Sequence, residues 1–183
     1  MQRDEDHDVD LVRRAQRGEH DAFDELVGRH GPELYRLAVA VIGPVAAADV
    51  TQDALIRAWR ELPTLRDPAR FLPWVRRILV NRARDVARTQ RRGVRELRLE
   101  AFDDGAGLPL IPDSAGRLDA SADLHAALER LTVDQRSLLA LHYAMGLSLR
   151  EVGETLGIPV GTAKSRVNAS LAMLRHALED DGR

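Results

Sequence analysis

Apolar residues recur three and four positions apart along most of the chain, which is the spacing of one face of an α-helix. One such stripe runs from Phe23 to Val41, and a second runs from Val45 to Leu62. No segment alternates apolar and polar residues convincingly enough to predict a strand. The pattern therefore predicts an all-α fold.

Proline and glycine divide this pattern into separate helices. The first stripe crosses Gly31–Pro32, where we expect a kink, and Gly43–Pro44 ends it. A third helix should end near Gln90. It contains Pro73, which fits only if the helix begins near Arg70, because the missing amide of proline then falls in the first turn.

The middle of the chain lacks both helical and alternating periodicity. Residues 102–116 include Gly105, Gly107, Pro109 and Pro112. Glycine and proline at this density are typical of connecting segments. We therefore predict two small helical domains, 1–95 and 122–183, joined by a flexible linker, 96–121.

The second domain carries local signals for the ends of its helices. Thr132 and Ser148 each stand three residues before a side chain that can complete a capping box, Gln135 and Glu151 respectively. Gly157 suits the left-handed end of a helix. These signals predict two short helices that meet the next helix at a fixed angle.

A sharp turn at Pro159–Gly161 leads into that next helix, which Thr162 could cap. Its expected apolar stripe is Val167, Leu171, Leu174 and Leu178. The polar and basic residues near its start are Thr162, Lys164, Ser165, Arg166 and Asn168. This pattern favours a helix-turn-helix whose second helix enters the major groove of DNA, where Lys164 and Arg166 can meet phosphate or guanine. The alternative is an ordinary helical hairpin with a solvated polar face.

Composition limits the classes of protein. The 183 residues carry a formal net charge of -2 and include no cysteine, which excludes disulfides and thiolate zinc sites within the chain. The acidic segment Met1 to Asp10 is unlike a signal peptide, and the longest apolar run, Leu37 to Ile42, is too short to span a bilayer. We expect a cytoplasmic protein without membrane insertion. Its acidic tail is expected to be disordered, the alternative being a shield over a basic surface.

Positive charge is concentrated in one part of the chain. Residues 66–98 contain eleven arginines and three acidic residues, a net charge of +8, which leaves -10 for the remainder. Such asymmetry indicates a strongly positive surface that binds a polyanion. A solvated, arginine-rich helix end is the alternative.

Signatures of catalysis are missing from the sequence. The histidines His20, His30, His125, His142 and His176 do not have the spacing of a metal motif, and Asp103–Asp104 falls in the predicted linker. No nucleophile elbow, phosphate loop or dinucleotide fingerprint occurs. We expect neither an enzyme nor a bound cofactor or metal.

Two separate motif sets resemble bacterial sigma factors of the extracytoplasmic-function (ECF) group. Residues 49–59, DVTQDALIRAW, resemble the family's helix D-x-x-Q-[DE]-x-[FL]-x-[RK]-x-[WY], and FLPWVRRILVN at 71–81 follows with Asp85. Residues 158–166, IPVGTAKSR, resemble the family's [IL]-P-x-G-T-x-[KR]-S-R. Both sets occur in the family's order with a linker between them. The resemblance therefore covers nearly the whole chain and is highly specific.

The resemblance implies a sigma factor of RNA polymerase. Its first domain would bind the core polymerase and melt the minus-10 promoter element, and its second would bind the minus-35 element as duplex. Asp49, Gln52 and Asp53 share one helix face and are the expected polymerase-binding patch. The alternative for this patch is a solvated face with an Asp53–Arg57 ion pair.

For the minus-10 element, the resemblance implies that the loop 63–69 captures a flipped base and that the arginine-rich helix follows the DNA strand. The residues expected there are Arg76, Arg77, Asn81, Arg84 and Arg88. Asparagine offers both a donor and an acceptor to a base edge, and arginines meet phosphates. We assign Trp59, Phe71 and Trp74 to the core rather than to base stacking, because aromatic residues are few.

The chain departs from the family pattern at two places. Leu79 and Val80 replace the small and basic residues usual before the family's asparagine, and Ala169 and Leu171 stand where arginines often continue the recognition helix. We therefore expect minus-35 contacts early in that helix. Members of the group are commonly restrained by an anti-sigma factor, so that partner is expected beside core RNA polymerase and promoter DNA.

A stand-alone regulator whose helix-turn-helix binds an operator is the alternative function. It accounts for the second domain only, and it leaves the acidic patch and the arginine-rich helix without a role. Operator-binding proteins also commonly pair two half-sites through dimer symmetry.

Overall fold

The computed structural model describes residues 2–103 and 120–181, and every regular element in these two segments is helical, which confirms the predicted all-α fold. Side chains are described at 6–90, 92, 124 and 126–179. The α-helices are α1 (Gln2–Gln16), α2 (His20–Ile42), α3 (Pro44–Glu61), α4 (Phe71–Asp103), α5 (Ala120–Glu129), α6 (Val133–Leu139), α7 (Leu149–Leu156) and α8 (Val160–Asp181). Two 3-10 turns, Leu62–Thr64 and Pro68–Arg70, join α3 to α4, and a π-helical turn, Ala140–Ala144, follows α6.

Helices α1 to α4 pack around one aliphatic core. Helix α1 contributes Leu11, Val12 and Ala15, all buried, and α4 contributes Val75 and Leu79. The acidic tail belongs to the same helix, and the expectation of a disordered tail is wrong at His7 and Asp8, whose side chains pair with α2. Three apolar residues on one face are enough to dock α1 against α2, and docking stabilises a helix that its own sequence would not.

Charged contacts also hold α1 against α2. His7 Nε2 lies 2.8 Å from Glu25 Oε1, which lowers the pKa of the Glu25 carboxyl from its usual value. Asp8 Oδ2 lies 2.8 Å from His30 Nε2, and Arg29 Nε lies 2.9 Å from the other Asp8 oxygen. Asp8 is thus paired with two side chains of α2.

Two of the predicted helix ends are confirmed. Helix α4 begins at Phe71, so Pro73 lies in its first turn, and α2 continues through Pro32 and ends at Ile42, directly before Gly43–Pro44. Helix α4, however, passes Gln90 and ends at Asp103. A single interior glycine, Gly93, costs a helix only about 1 kcal/mol and does not end it.

Part of the predicted linker is therefore helical. The backbone at 96–103 belongs to α4, and α5 begins at Ala120. Residues 104–119, in which most of the predicted linker falls, lie outside the described residues. The domain boundaries at 95 and 122 stay predictions.

Both predicted capping boxes are confirmed. The Thr132 amide donates to the side-chain oxygen of Gln135 at 2.8 Å, and the Gln135 amide donates to the Thr132 hydroxyl at 3.3 Å. Ser148 and Glu151 make the same pair of bonds at 2.8 and 3.3 Å. The Ser148 hydroxyl, which donates to the Glu151 carboxylate at 2.6 Å, lowers the pKa of that carboxyl, and the Ser148 amide lowers it further. Gly157 ends α7 in the left-handed region with φ 68°, also as predicted.

Helix α8 begins earlier than expected. Its first residue is Val160, so Thr162 lies within the first turn and its predicted capping role is wrong. The Ala163 amide donates to the Pro159 carbonyl at 2.9 Å, which closes that turn. A proline at the cap position has no amide to satisfy, so the helix can start directly after it.

The buried face of α8 differs from the predicted stripe. Ala163, Val167 and Ser170 are buried, whereas Leu171 and Leu174 are only half-buried. Small side chains at 163 and 170 allow α8 to approach α6 and α7 closely. The Ser170 hydroxyl donates to the Arg166 carbonyl at 2.8 Å, so its burial leaves no unpaired donor.

The π-helical turn directs the chain from α6 toward α7. The Met145 amide donates to the Ala140 carbonyl, five residues back, at 2.9 Å. His142 Nδ1 donates to the Leu147 carbonyl at 2.6 Å. Leu141 and Leu147 are buried and join the same apolar core as residues of α2 and α4. The two helical blocks therefore pack against each other.

A mostly buried ion pair sets the position of α4 on α2. Arg76, whose side chain is 11% exposed, donates to Glu33 Oε1 through Nε at 2.9 Å and also through a terminal guanidinium nitrogen. Such a pair is costly to break on one side, because the remaining charge stays poorly solvated.

Gly153→Ala should destabilise the second domain. A Cβ at this position would lie 2.8 Å from the Ile158 carbonyl oxygen. This is a backbone atom, so no side-chain rotation can relieve the clash. We expect the free energy of unfolding to fall by about 1–3 kcal/mol, measured by chemical denaturation. The matched control is Gly161→Ala, where no atom lies within 4 Å. It should be neutral or stabilise by up to about 1 kcal/mol, and equal effects of the two variants would contradict the proposed close approach.

Arg76→Ala should lower the free energy of unfolding by about 2–3 kcal/mol, because it leaves the Glu33 carboxylate unpaired at a mostly buried position. Thermal and urea unfolding of the purified protein measure this change. Arg88→Ala is the control, since Arg88 is exposed and its ion pair among the described side chains is with Asp85 on the same helix. Its effect should stay within about 0.5 kcal/mol. An Arg76 variant as stable as this control would show that the buried pair contributes nothing.

Candidate nucleic-acid interface

Four of the residues predicted to contact the minus-10 element share one face of α4. Arg77, Asn81, Arg84 and Arg88 follow each other at intervals of four, three and four residues. Arg84 Nη1 donates to Asn81 Oδ1 at 2.9 Å, and Arg88 Nη2 donates to Asp85 at 2.6 Å. Asn81, Arg84 and Arg88 line an open cleft of about 770 Å³.

Arg76 does not belong to this face. Its guanidinium is bonded to Glu33 in the contact between α2 and α4, so the structure places the fifth predicted residue in a supporting position. The sequence alone did not separate Arg76 from Arg77, because both are arginines in a run rich in arginine. Their adjacency was the available signal, since neighbouring residues of a helix point about 100° apart.

The second domain packs against the arginines at this end of α4. Arg70, just before α4, donates to Glu154 at 2.8 Å, and Arg84 bonds to Asp134. The pKa of the Glu154 carboxyl is lowered, first by Arg150 and also by Arg70. The guanidinium carbon of Arg77 lies 3.6 Å from the point where a Cβ of Gly157 would stand. Carboxylates of the second domain thus pair with Arg70 and Arg84.

The predicted recognition residues lie at the exposed start of α8. Lys164, Ser165, Arg166 and Asn168 are exposed, and Thr162 is half-buried. The Ser165 hydroxyl donates to the Thr162 carbonyl at 3.1 Å. The buried residues of α8 lie on other faces, so the start of the helix presents a polar and basic surface.

The arginine face of α4 and the basic start of α8 come close to each other beside Asp134. Arg166 of α8 and Arg84 of α4 line the same narrow cleft of about 310 Å³, whose wall includes Asp134. Two cations near one cleft repel unless an anion lies between them. Asp134 supplies that anion within this arrangement.

The predicted polymerase-binding patch is only partly free. Asp49 and Gln52 are exposed on α3, whereas Asp53 is half-buried beside Arg82 of α4, with 2.8 Å between Arg82 Nε and Asp53 Oδ2. The alternative pairing of Asp53 with Arg57 is wrong, because Arg57 Nε donates to Glu61 at 2.7 Å.

An apolar groove beside this patch was missed in the sequence. Tyr35 and Ile56 are each 43% exposed and line a cleft of about 510 Å³ together with Trp59 and Gln52. Large apolar side chains exposed side by side commonly mark a protein contact. The available signal was that Tyr35 and Ile56 fall outside the apolar stripes of their helices.

The aromatic residues assigned to the core do pack within the protein. Phe71 is buried, and the ring centroids of Phe71 and Trp74 are 6.2 Å apart. Trp59 lies 5.0 Å from Phe23 between ring centroids, and both tryptophans are half-buried. The assignment of these residues to packing is confirmed.

The described residues form no group of three histidine or acidic side chains that could hold a metal ion. Among the same residues, no helix is both long and apolar enough to cross a membrane.

Family models match both helical blocks. The model of Sigma-70 region 2 matches residues 26–93, and the model of Sigma-70, region 4 matches residues 121–174. The first match contains the acidic patch and the described arginine face of α4. The second contains the helix-turn-helix and all five predicted recognition residues.

Whole-chain comparisons agree with these matches. The chain is 30% identical to the RNA polymerase sigma-H factor of Pseudomonas aeruginosa, over 96% of this chain and 95% of that protein. It is 32% identical to the ECF RNA polymerase sigma-E factor of Escherichia coli, over 86% of each. A solved structure of the sigma factor RpoE with the anti-sigma factor NepR from Bartonella quintana is similar with a TM-score of 0.61 and 27% identity. It covers 86% of this chain and 96% of that one. The acidic patch, the arginine face and the helix-turn-helix thus occur in a chain that belongs to the ECF group of sigma factors, the subunits that direct RNA polymerase to promoters.

Proposed function

We propose that the two basic surfaces divide promoter recognition between them. The face of α4 that carries Arg77, Asn81, Arg84 and Arg88 would hold the minus-10 element, and the start of α8 would read the minus-35 duplex. The observation that carries this assignment is the position of each surface within its own family match. The division corresponds to the predicted domains 1–95 and 122–183.

The start of α8 suits duplex DNA. Exposed basic and polar side chains at a helix N-terminus can reach base edges in the major groove while the first turn approaches a phosphate. Lys164 and Arg166 would bind phosphate or guanine, and Thr162, Ser165 and Asn168 would add hydrogen bonds. Ala169 lies next on this surface, so the contacts end early in the helix.

The α4 face suits a single strand of the melted element. Asn81 can pair with an unstacked base edge, and the arginines beside it can follow the phosphates. The loop 63–69, at the start of α4, would capture a flipped base. Arg76 would not contact DNA. Its ion pair with Glu33 would instead hold α4 in position on α2.

The acidic patch and the apolar groove would form the docking surface for core polymerase. Asp49 and Gln52 supply exposed polar groups, and Tyr35 and Ile56 supply exposed apolar area beside them. A contact of this mixed character resembles other protein interfaces, in which an apolar centre has a polar rim. Asp53 would join this surface only on release from Arg82.

The packing of the second domain on α4 offers a mechanism by which an anti-sigma partner would inhibit promoter binding. In the packed arrangement Asp134 pairs with Arg84 of the minus-10 face, and Glu154 pairs with Arg70 just before α4, so that DNA would have to displace Asp134 to reach Arg84. A similar sigma factor, RpoE of Bartonella quintana, has been solved together with an anti-sigma factor. An anti-sigma factor that favours the packed arrangement would reduce promoter binding by population shift alone.

The chain would act in the cytoplasm, where bacterial core polymerase and promoters are found, and it would act without catalysis or cofactor of its own. Sigma-factor relatives supply specificity to the polymerase rather than chemistry. In vitro transcription with core polymerase tests the whole assignment. Promoter-specific initiation is expected from core plus this chain, whereas an operator-binding regulator would need another sigma factor.

Asp49→Arg should weaken binding to core polymerase by about tenfold or more, because it reverses an exposed charge on the docking surface. Binding is measured by fluorescence anisotropy of the labelled full chain titrated with core. The control is Asp10→Arg, the same reversal at an exposed position of α1. Unchanged core affinity in the Asp49 variant, with wild-type stability, would refute the docking surface.

Promoter affinity of the holoenzyme should fall steeply as salt is raised. Because each neutralised phosphate contributes roughly one unit to the slope of log K against log [salt], Arg88→Ala should reduce the slope by about 1. Arg60→Ala, an exposed arginine on α3, is the matched control and should leave the slope unchanged. Identical slopes for the wild type and the Arg88 variant would exclude Arg88 from the phosphate contacts.

A further inference from the structure

The loop between α3 and α4 presents polar side chains outward while its leucines point inward. Leu62 and Leu65 are buried, whereas Thr64, Arg66 and Asp67 are exposed. These three exposed side chains include both donors and acceptors, which are the groups that can select an unpaired base by its edge.

Local hydrogen bonds give this loop a defined shape. The Leu65 amide donates to the Leu62 carbonyl at 3.1 Å, and the Thr64 hydroxyl donates to the Glu61 carbonyl at 2.7 Å. The Asp67 carboxylate accepts from the Ala69 amide at 3.1 Å. All of these bonds lie within the loop or at its edge, so they shape it without fixing its place on the protein.

Gln16, the last residue of α1, supplies a tertiary attachment. Its side-chain Nε2 donates to the Leu62 carbonyl at 3.1 Å and to the Leu65 carbonyl at 2.7 Å, across 46 and 49 residues of sequence. One half-buried amide thus bridges the two carbonyls on either side of Pro63 and Thr64. Without this donor, the Leu65 carbonyl would lose its partner at a part-buried position.

Helix α1 is rigidly held, so Gln16 cannot simply follow a moving loop. Leu11, Val12 and Ala15 are buried in the apolar core, and Asp8 is fixed by His30 and Arg29. The two hydrogen bonds from Gln16 therefore fix the position of the loop relative to the core. A reading surface selects among bases only when its polar groups are held in place.

We propose that Gln16 is a positioning residue for base selection. By holding the Leu62 and Leu65 carbonyls, it fixes Thr64, Arg66 and Asp67 where they read one unpaired base of the minus-10 element. This inference rests on the proposed function of the loop 63–69. It extends the promoter-reading apparatus to α1, which precedes the segment matched by the family model at 26–93.

The test measures base preference rather than overall affinity. Holoenzyme made from core polymerase and the full chain is incubated with single-stranded oligonucleotides randomised over the minus-10 element, and bound sequences are counted. Gln16→Glu is the main variant, because it keeps the shape of the side chain and removes both donated bonds. Gln16→Met removes them without adding charge, and Gln16→Lys restores a donor. Arg13→Gln, at an exposed position of α1, is the matched control.

Gln16→Glu and Gln16→Met should reduce the preference for the favoured base at one position by about tenfold, since two hydrogen bonds of ordinary strength are lost. Core affinity and minus-35 duplex affinity should stay within about twofold of wild type, and Gln16→Lys should recover much of the preference. Hydrogen exchange of the 62–70 segment should become about tenfold faster in the Glu variant. A purely structural role would lower stability and all affinities together.

The outcomes separate this inference from the function on which it rests. A wild-type holoenzyme without base preference in this assay would overturn the proposed role of the loop, and this inference with it. A selective wild type and an equally selective, folded Gln16→Met variant would overturn the inference alone.

Discussion

The position of α4 depends on carboxylates that neutralise its arginines. The arginines of such a helix repel one another. The helix therefore packs stably against the rest of the protein only when anions neutralise its side chains. Glu33 of α2 holds Arg76, Asp53 of α3 holds Arg82, and Asp134 of α6 holds Arg84. These three pairs come from different helices and differ in burial. The mostly buried pair fixes the helix, whereas the two more exposed pairs add less stability and their carboxylates can be replaced by other anions.

This difference in burial would allow one helix to be both a structural element and the proposed nucleic-acid surface. Arg76 is held within the fold by its buried ion pair, and its neighbours Arg77 and Arg84 meet the second domain through contacts that water also reaches. Phosphates compete with exposed carboxylates on nearly equal terms, because both accept the same hydrogen bonds from guanidinium. Packing of the second domain and the proposed binding of DNA would therefore use the same positive charges.

Local signals in the sequence predicted more of the structure than long-range ones. The capping boxes at Thr132 and Ser148 and the left-handed Gly157 depend on residues within four positions, so the sequence contains their whole cause. The docking of α1 and the separate role of Arg76 depend on partners far away in the chain. The apolar groove at Tyr35 and Ile56 was missed for the same reason: two helices must be placed side by side before their exposed residues form one surface.

The π-helical turn at Ala140–Ala144 controls the phase between the two halves of the second domain. Each residue of an α-helix advances the chain by about 100°, and a π turn contains one residue more than the α turn it replaces. Deletion of one residue there would restore α geometry and rotate Leu147 and the Ser148 cap away from their present directions. The number of residues in this turn thus sets the angle between α6 and the helix-turn-helix that follows it.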